Sequence, residues 1–164
     1  MEIITIVGLV MLTASSGALF KPDRWYDELR KPSWTPSPWV FPVVWTVLYL
    51  AIAVAGWLVW REAGWSGAIA IWGLQLALNA AWSGLFFGLK RVGLAFVDVV
   101  ALQATIVLFI VWAQPISWIA SVLFVPYLVW VTTAAALNLR VLQMNPRVWS
   151  GGRFERLLTG ERAT

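Results

Sequence analysis

The sequence predicts an all-α membrane protein: a bundle of five transmembrane helices, with a proline- and tryptophan-rich lid loop between helices 1 and 2. Three observations carry this. Of 164 residues, 60% are hydrophobic and only 12% charged, more apolar surface than a soluble domain of this size can hide. The apolar residues fall in five runs of membrane-spanning length. Between the first two runs stands "RKPSWTPSPWVFPVVW", residues 30–45, with four prolines and three tryptophans in sixteen positions.

The five runs are roughly 2–20, 39–60, 67–89, 92–113 and 117–139. At ~1.5 Å per residue each is long enough for a hydrocarbon core of ~30 Å. The first offers "ASSGA" as a possible cleavage site, but its start is Met-Glu rather than basic and Lys21 follows the apolar stretch, so it is read as a retained helix. In the first loop "DRWYDELR" can form about two turns of amphipathic helix. Pro32, Pro36 and Pro38 then forbid helix and favour an extended lid. Its tryptophans are expected in the membrane interface or over the mouth of the bundle. Residues 1–140 form the membrane domain. Residues 141–164 form a basic tail whose arginines and scattered apolar residues suit a membrane surface.

Charge orients the bundle. Lys21, Arg24, Arg30, Lys31, Lys90, Arg91, Arg140, Arg147, Arg153, Arg156 and Arg162 fall on one face, eleven of the twelve basic side chains, and Arg61 is alone opposite. The positive-inside rule places the N-terminus outside and the C-terminus in the cytoplasm.

Composition also narrows the chemistry. With no cysteine and no histidine, disulfides, thiolate chemistry, histidine metal sites and a histidine general base are excluded. No metal site and no required cofactor are expected. The net charge of +4 is explained by orientation, and no basic stripe for nucleic acid is present. Lys21, Lys31 and Lys90 all lie outside the spans, so no buried Schiff base of the retinal type can form.

Helical spacing sorts the spans into faces. Gln75, Asn79, Trp82 and Phe86 form one stripe of the third span. Ala77, Ala81, Gly84 and Gly88 form another, opposite, a small-residue surface for a neighbouring helix or a second copy of the chain. Tyr127, Trp130, Ala134 and Asn138 form a stripe on the fifth span, and Trp45 and Tyr49, continued by Ile52 and Gly56, one on the second. Amides are costly against lipid, so these faces turn inward, to make either a packed core or a cavity for a flat apolar ligand. Trp60, Trp65, Trp112 and Trp118 read as interfacial belt residues. Asp98 is the one carboxylate inside a span. It is expected to be neutralised by Lys90 or Arg91, the alternative being a proton or cation site.

The segments "WYDELRKPSWTPSPWVFPVVWTVLY", "ALNAAWSGLFFGLK" and "PYLVWVTTAAALN", in that order, resemble the TspO/MBR family of translocator proteins and tryptophan-rich sensory proteins. The resemblance runs from the first helix through Asn138. It implies a five-helix bundle, commonly dimeric, whose cavity binds porphyrins such as protoporphyrin IX, other flat hydrophobic small molecules and sterols, under a lid formed by the first loop. It implies Trp39 at the junction of lid and helix, and Trp45, Tyr49, Asn79, Trp82, Tyr127, Trp130, Ala134 and Asn138 as ligand-binding residues. Trp45 and Trp130 match tryptophans implicated in light-dependent porphyrin breakdown. "LNLRVLQMN" lacks the tyrosine of the animal sterol pattern, so sterol binding through that element is not expected.

The expected function is therefore a membrane receptor or transporter-like protein for tetrapyrroles, in contact with lipid and paired as a homodimer. Light-dependent porphyrin degradation and transport of hydrophobic cations or lipids are the alternatives. Lacking histidine and cysteine, the site suits a metal-free porphyrin better than haem. Arg24, Arg30 or Lys31 are positioned in sequence to meet its propionates.

Overall fold

The computed structural model describes residues 3–146, all helix and connecting loop with no strand among them. The helices are α1 (Ile3–Leu19), α2 (Arg24–Glu28), α3 (Val40–Ala63), α4 (Gly67–Ser83), α5 (Val92–Ala113) and α6 (Trp118–Met144). A π-helical turn, Gly84–Gly88, continues α4. Four of these, with the π turn counted into α4, are long and apolar enough to cross a membrane, and α1 is a shorter apolar helix of 17 residues. Helix α1 packs on α3 and α4, α4 on α5, α5 on α6, and α6 back on α3. The ring order is α1, α3, α6, α5, α4.

Burial follows the helical period. Ile52, Ala55 and Val59 of α3, Ile106 and Phe109 of α5, and Phe124 of α6 are fully buried, while Val43, Val47, Leu50, Val97, Val122 and Val129 are exposed. An exterior this aliphatic belongs against lipid. Phe109 and Phe124 meet with ring centroids 4.0 Å apart. Gly56 of α3 makes room for the Trp72 indole of α4: a Cβ there would lie 2.6 Å from its Nε1. That indole, itself buried, donates to the Ile52 carbonyl at 2.9 Å. Ser66 and Ser117 cap α4 and α6 by accepting from the amides of Ile69 and Ala120, which satisfies donors otherwise orphaned at a helix start.

The belt residues cluster at one end. Trp65, Trp112 and Trp118 are exposed, and Trp60 meets Trp65 edge-to-face at 5.2 Å.

At the other end the π turn replaces regular α-helix. The Leu89 amide reaches the Gly84 carbonyl at 2.7 Å, and the Arg91 amide reaches Leu85 at 2.9 Å. Lys90 then takes a left-handed conformation, φ 56°, which ends the helix. The wider turn brings Phe86 and Phe87 together against Tyr26 and Trp82, with centroids 5.1–6.2 Å apart.

The loop between α1 and α3 is pinned at several points. Asp23 caps α2 through the Tyr26 amide at 3.2 Å and pairs with Lys90 at 2.8 Å. Leu29 is buried with Phe86, Val92, Val141 and Leu142. Helix α2 has five residues, shorter than the two turns expected, because the backbone turns extended at Leu29, ψ 138°; Lys31 Nζ donates to the Tyr26 carbonyl at 2.6 Å. From Lys31 to Trp39 there is no helix, as the prolines require. Helix α6 extends five residues past the expected end at Leu139, since Val141 and Leu142 still have this apolar cluster to join. The rest of the expected tail, residues 147–164, lies outside the described residues.

Candidate ligand-binding site

The polar stripes of α3, α4 and α6 converge. Tyr49 donates from its hydroxyl to Asn79 Oδ1 at 3.0 Å. Asn79 Nδ2 donates to the Tyr127 hydroxyl at 2.7 Å, and that hydroxyl donates to Gln75 Oε1 at 3.0 Å. Gln75, Asn79 and Tyr127 are all buried, so the chain of bonds joins three helices in a medium where an unpaired polar group is costly. Gln75 Nε2 has no hydrogen-bond partner among the described residues. Trp45 stacks on Tyr49 at 5.2 Å and meets Tyr127 edge-on at 6.2 Å.

A second cluster lies nearer the loop. Trp82 donates from its indole to Asn138 Oδ1 at 3.2 Å, and Asn138 Nδ2 donates to the Val92 carbonyl at 3.0 Å. These bonds tie α4, α6 and the start of α5 beside a cleft. The cleft is lined by Tyr26, Lys31 and Thr35 from the loop, Phe41 from α3, Trp82, Phe86 and Phe87, and Ala134, Leu137, Asn138 and Val141 from α6. Trp130 borders it indirectly, packing edge-on against Phe41 at 5.6 Å.

The cleft holds a cavity of about 60 Å³, room for a few water molecules rather than a macrocycle. A larger occupant must displace the loop or the aromatic rings around it. Phe41, Trp82, Phe86 and Phe87 are its aromatic walls, and the methyl-sized Ala134 keeps its floor open.

Its electrostatics are simple. Lys31 is the one charged lining residue, and burial, aided by the negative charge of Asp27, pushes the Tyr26 phenol up. The lining offers flat apolar faces, one amide, Asn138, and one ammonium, with no acid–base pair. No cluster of metal-ligating side chains occurs among the described residues.

Three of the nine residues expected to bind ligand, Trp82, Ala134 and Asn138, line the cleft directly. Trp45, Tyr49, Asn79 and Tyr127 form the adjoining aromatic and amide core. Trp39 stands apart at the start of α3, 68% exposed, and Trp34 is exposed too. The loop thus reaches into the cleft with Tyr26, Lys31 and Thr35 rather than with those two tryptophans, while Trp25 packs on Phe86 at 6.3 Å. Sequence spacing missed Phe41, Phe87, Leu137 and Val141. Phe87 lies in the π turn Gly84–Gly88, which the regular helical period does not anticipate.

One expectation needs correction. Asp98 is not neutralised by Lys90 or Arg91. Lys90 is drawn to Asp23 by its left-handed backbone and stands 5.3 Å from the Trp25 ring. Asp98 is 9% exposed with no ion pair or hydrogen bond among the described residues. On the small-residue face of α4, Ala77, Ala81 and Gly88 are exposed and Gly84 is half-buried, and the Phe20 ring of the same chain lies beside Gly84 and Gly88.

Comparison with known proteins agrees with this architecture. A profile of the TspO/MBR family matches residues 4–144. The tryptophan-rich sensory protein of Cereibacter sphaeroides is 45% identical over 134 residues, covering 80% of this chain and 84% of that protein. The human translocator protein is 41% identical over 136 residues, 79% of each. Protein CrtK of Rhodobacter capsulatus is 39% identical over 137 residues, 80% of this chain and 85% of that one.

Proposed function

The chain belongs to the TspO/MBR family, and on that footing we propose that it is a membrane receptor or transporter-like protein that binds flat hydrophobic ligands inside its bundle. A metal-free porphyrin, protoporphyrin IX, is the first candidate, with a role in tetrapyrrole transport or sensing. One observation carries the reading. Trp82 and Asn138 are hydrogen-bonded to each other on the wall of a cleft whose other walls are Phe41, Phe86 and Phe87. Indole and phenyl faces suit a π system, and an amide held by its neighbours offers a fixed polar edge.

The first loop acts as the lid of this cleft. Its contacts through Tyr26, Lys31 and Thr35 support that role, and so does the small cavity beneath, which a macrocycle can fill only if the loop or the surrounding aromatic rings move. Helix α1 crosses the membrane with the other four, the N-terminus lies outside, and the loop and C-terminus face the cytoplasm, where the positive-inside rule puts Lys21, Arg24, Arg30 and Lys31.

Titration with protoporphyrin IX in the dark, followed by tryptophan quenching in detergent, tests the reading. Saturable binding that Trp82→Leu weakens supports it. Quenching that never saturates, and that the substitution leaves unchanged, means partition into detergent and removes it.

A further inference from the structure

The cleft contains one charge, and among the described residues that charge has no ion-pair partner. Lys31 is half-buried among the lining residues, with its Nζ 4.2 Å from the centroid of the Tyr26 ring. Its ammonium is held by two backbone carbonyls, Tyr26 at 2.6 Å and Asp27 at 3.4 Å, both at the end of α2. Two carbonyls orient an ammonium but do not neutralise it, and they leave a third N–H free. Among the described residues the ion pairs are Arg61 with Glu62 and Lys90 with Asp23, so Lys31 has no carboxylate. None of the cleft's other walls carries a negative group.

We propose that Lys31 is a specificity-determining residue: it makes the cleft selective for flat hydrophobic ligands that carry a carboxylate at one edge. The proposal rests on the reading of the cleft as a ligand site and narrows it to an amphiphile with an anionic rim. The aromatic body packs between Phe41, Trp82 and Phe86, and the carboxylate accepts from Lys31 at the mouth, where burial strengthens a charge-assisted bond. Arg24 and Arg30, the other lid cations close to this position in sequence, are exposed and do not line the cleft. Because Tyr26 and Asp27 hold the ammonium in place before any ligand arrives, little side-chain freedom remains to be lost on binding.

The competing explanation is that Lys31 only caps α2. Two ligands separate the two roles: protoporphyrin IX, with free carboxylates, and its dimethyl ester, the same ring without charge. Binding of both is measured in the dark to wild type, Lys31→Gln and Lys31→Arg. The proposal predicts that Lys31→Gln weakens the free acid by about tenfold or more, leaves the ester within about twofold, and that Lys31→Arg restores much of the preference for the acid. Equal losses for acid and ester in Lys31→Gln mean a purely structural cap and overturn it, as does no loss for either. If wild type binds the ester as well as the acid, selectivity fails while the porphyrin reading survives. If wild type binds neither, the porphyrin reading itself fails and the inference with it.

Discussion

The Asn145 side chain grips the backbone of Arg30 across 115 positions of sequence. Arg30 N–H donates to Asn145 Oδ1 at 3.0 Å, and Asn145 Nδ2 donates to the Arg30 carbonyl at 2.8 Å. The same amide nitrogen also reaches the Val141 carbonyl at 2.8 Å. One amide thus fastens the loop to the end of α6, where that loop borders the cleft. Asn145→Ala removes all three bonds without touching the cleft lining. We expect cleavage by trypsin in the 21–38 segment to accelerate several-fold, because local opening exposes this loop first. Unchanged cleavage would mean that Leu29 and the Asp23–Lys90 pair hold the loop without it.

Tyr127 is the hub of the amide network, and its hydroxyl serves two partners. Tyr127→Phe leaves Asn79 Nδ2 without an acceptor and Gln75 Oε1 without a donor, at a cost of about 1–2 kcal/mol. Tyr49→Phe breaks one bond at a half-buried position and costs less, under about 1 kcal/mol. Thermal unfolding in one detergent should rank them wild type, Tyr49→Phe, Tyr127→Phe in falling midpoint. The reverse order of the two variants would contradict the network as described.

Gly56 and Gly73 make a matched pair. A Cβ at Gly56 meets the Trp72 indole, whereas at Gly73 nothing lies within 4 Å. Gly56→Ala displaces the Trp72 indole from its place against α3 and costs about 1–3 kcal/mol. Gly73→Ala is neutral or slightly stabilising, since alanine is the better helix former. Thermal midpoints of the two variants decide the point.

Asp23 carries the pH dependence of the loop. Its hydrogen bond from Lys90 is the largest influence, holding the Asp23 carboxyl below its ordinary value. A carboxylate with a depressed folded value stabilises above its unfolded value, near ~4. That stabilisation is lost as pH falls through the folded one. Wild type and Asp23→Asn should therefore differ most at neutral pH and converge below about pH 4. The gap at neutral pH should shrink in high salt, because the pair is solvent-exposed. Thermal midpoints across pH 3 to 7 provide the check.

Much of this was legible in sequence because helices report their own faces. Gln75, Asn79 and Phe86 recur at the helical period, and all three are buried. Tyr127 and Asn138 do the same on α6. What escaped depends on contacts between distant segments or on broken periodicity. The partner of Lys90 is 67 positions away, so nothing beside it in sequence pointed to Asp23 rather than Asp98. The π turn adds a residue to one turn of helix, and Phe87 joins the cleft for that reason. Helix α6 outruns the span expected of it because its last apolar residues pack on Leu29 from the loop, a contact no local pattern contains.

The most direct test of the cleft as a ligand site uses the absence of cysteine from the chain. Ala134→Cys puts a single thiol on the cleft wall, and Gln114→Cys puts one on the exposed turn between α5 and α6. Rates of maleimide labelling are measured for both in the dark, with and without protoporphyrin IX. Occupancy of the cleft predicts that the porphyrin slows labelling at position 134 about tenfold or more, following ligand occupancy, and leaves position 114 unchanged. Equal labelling at position 134 with and without a saturating porphyrin would place the ligand elsewhere and contradict the account.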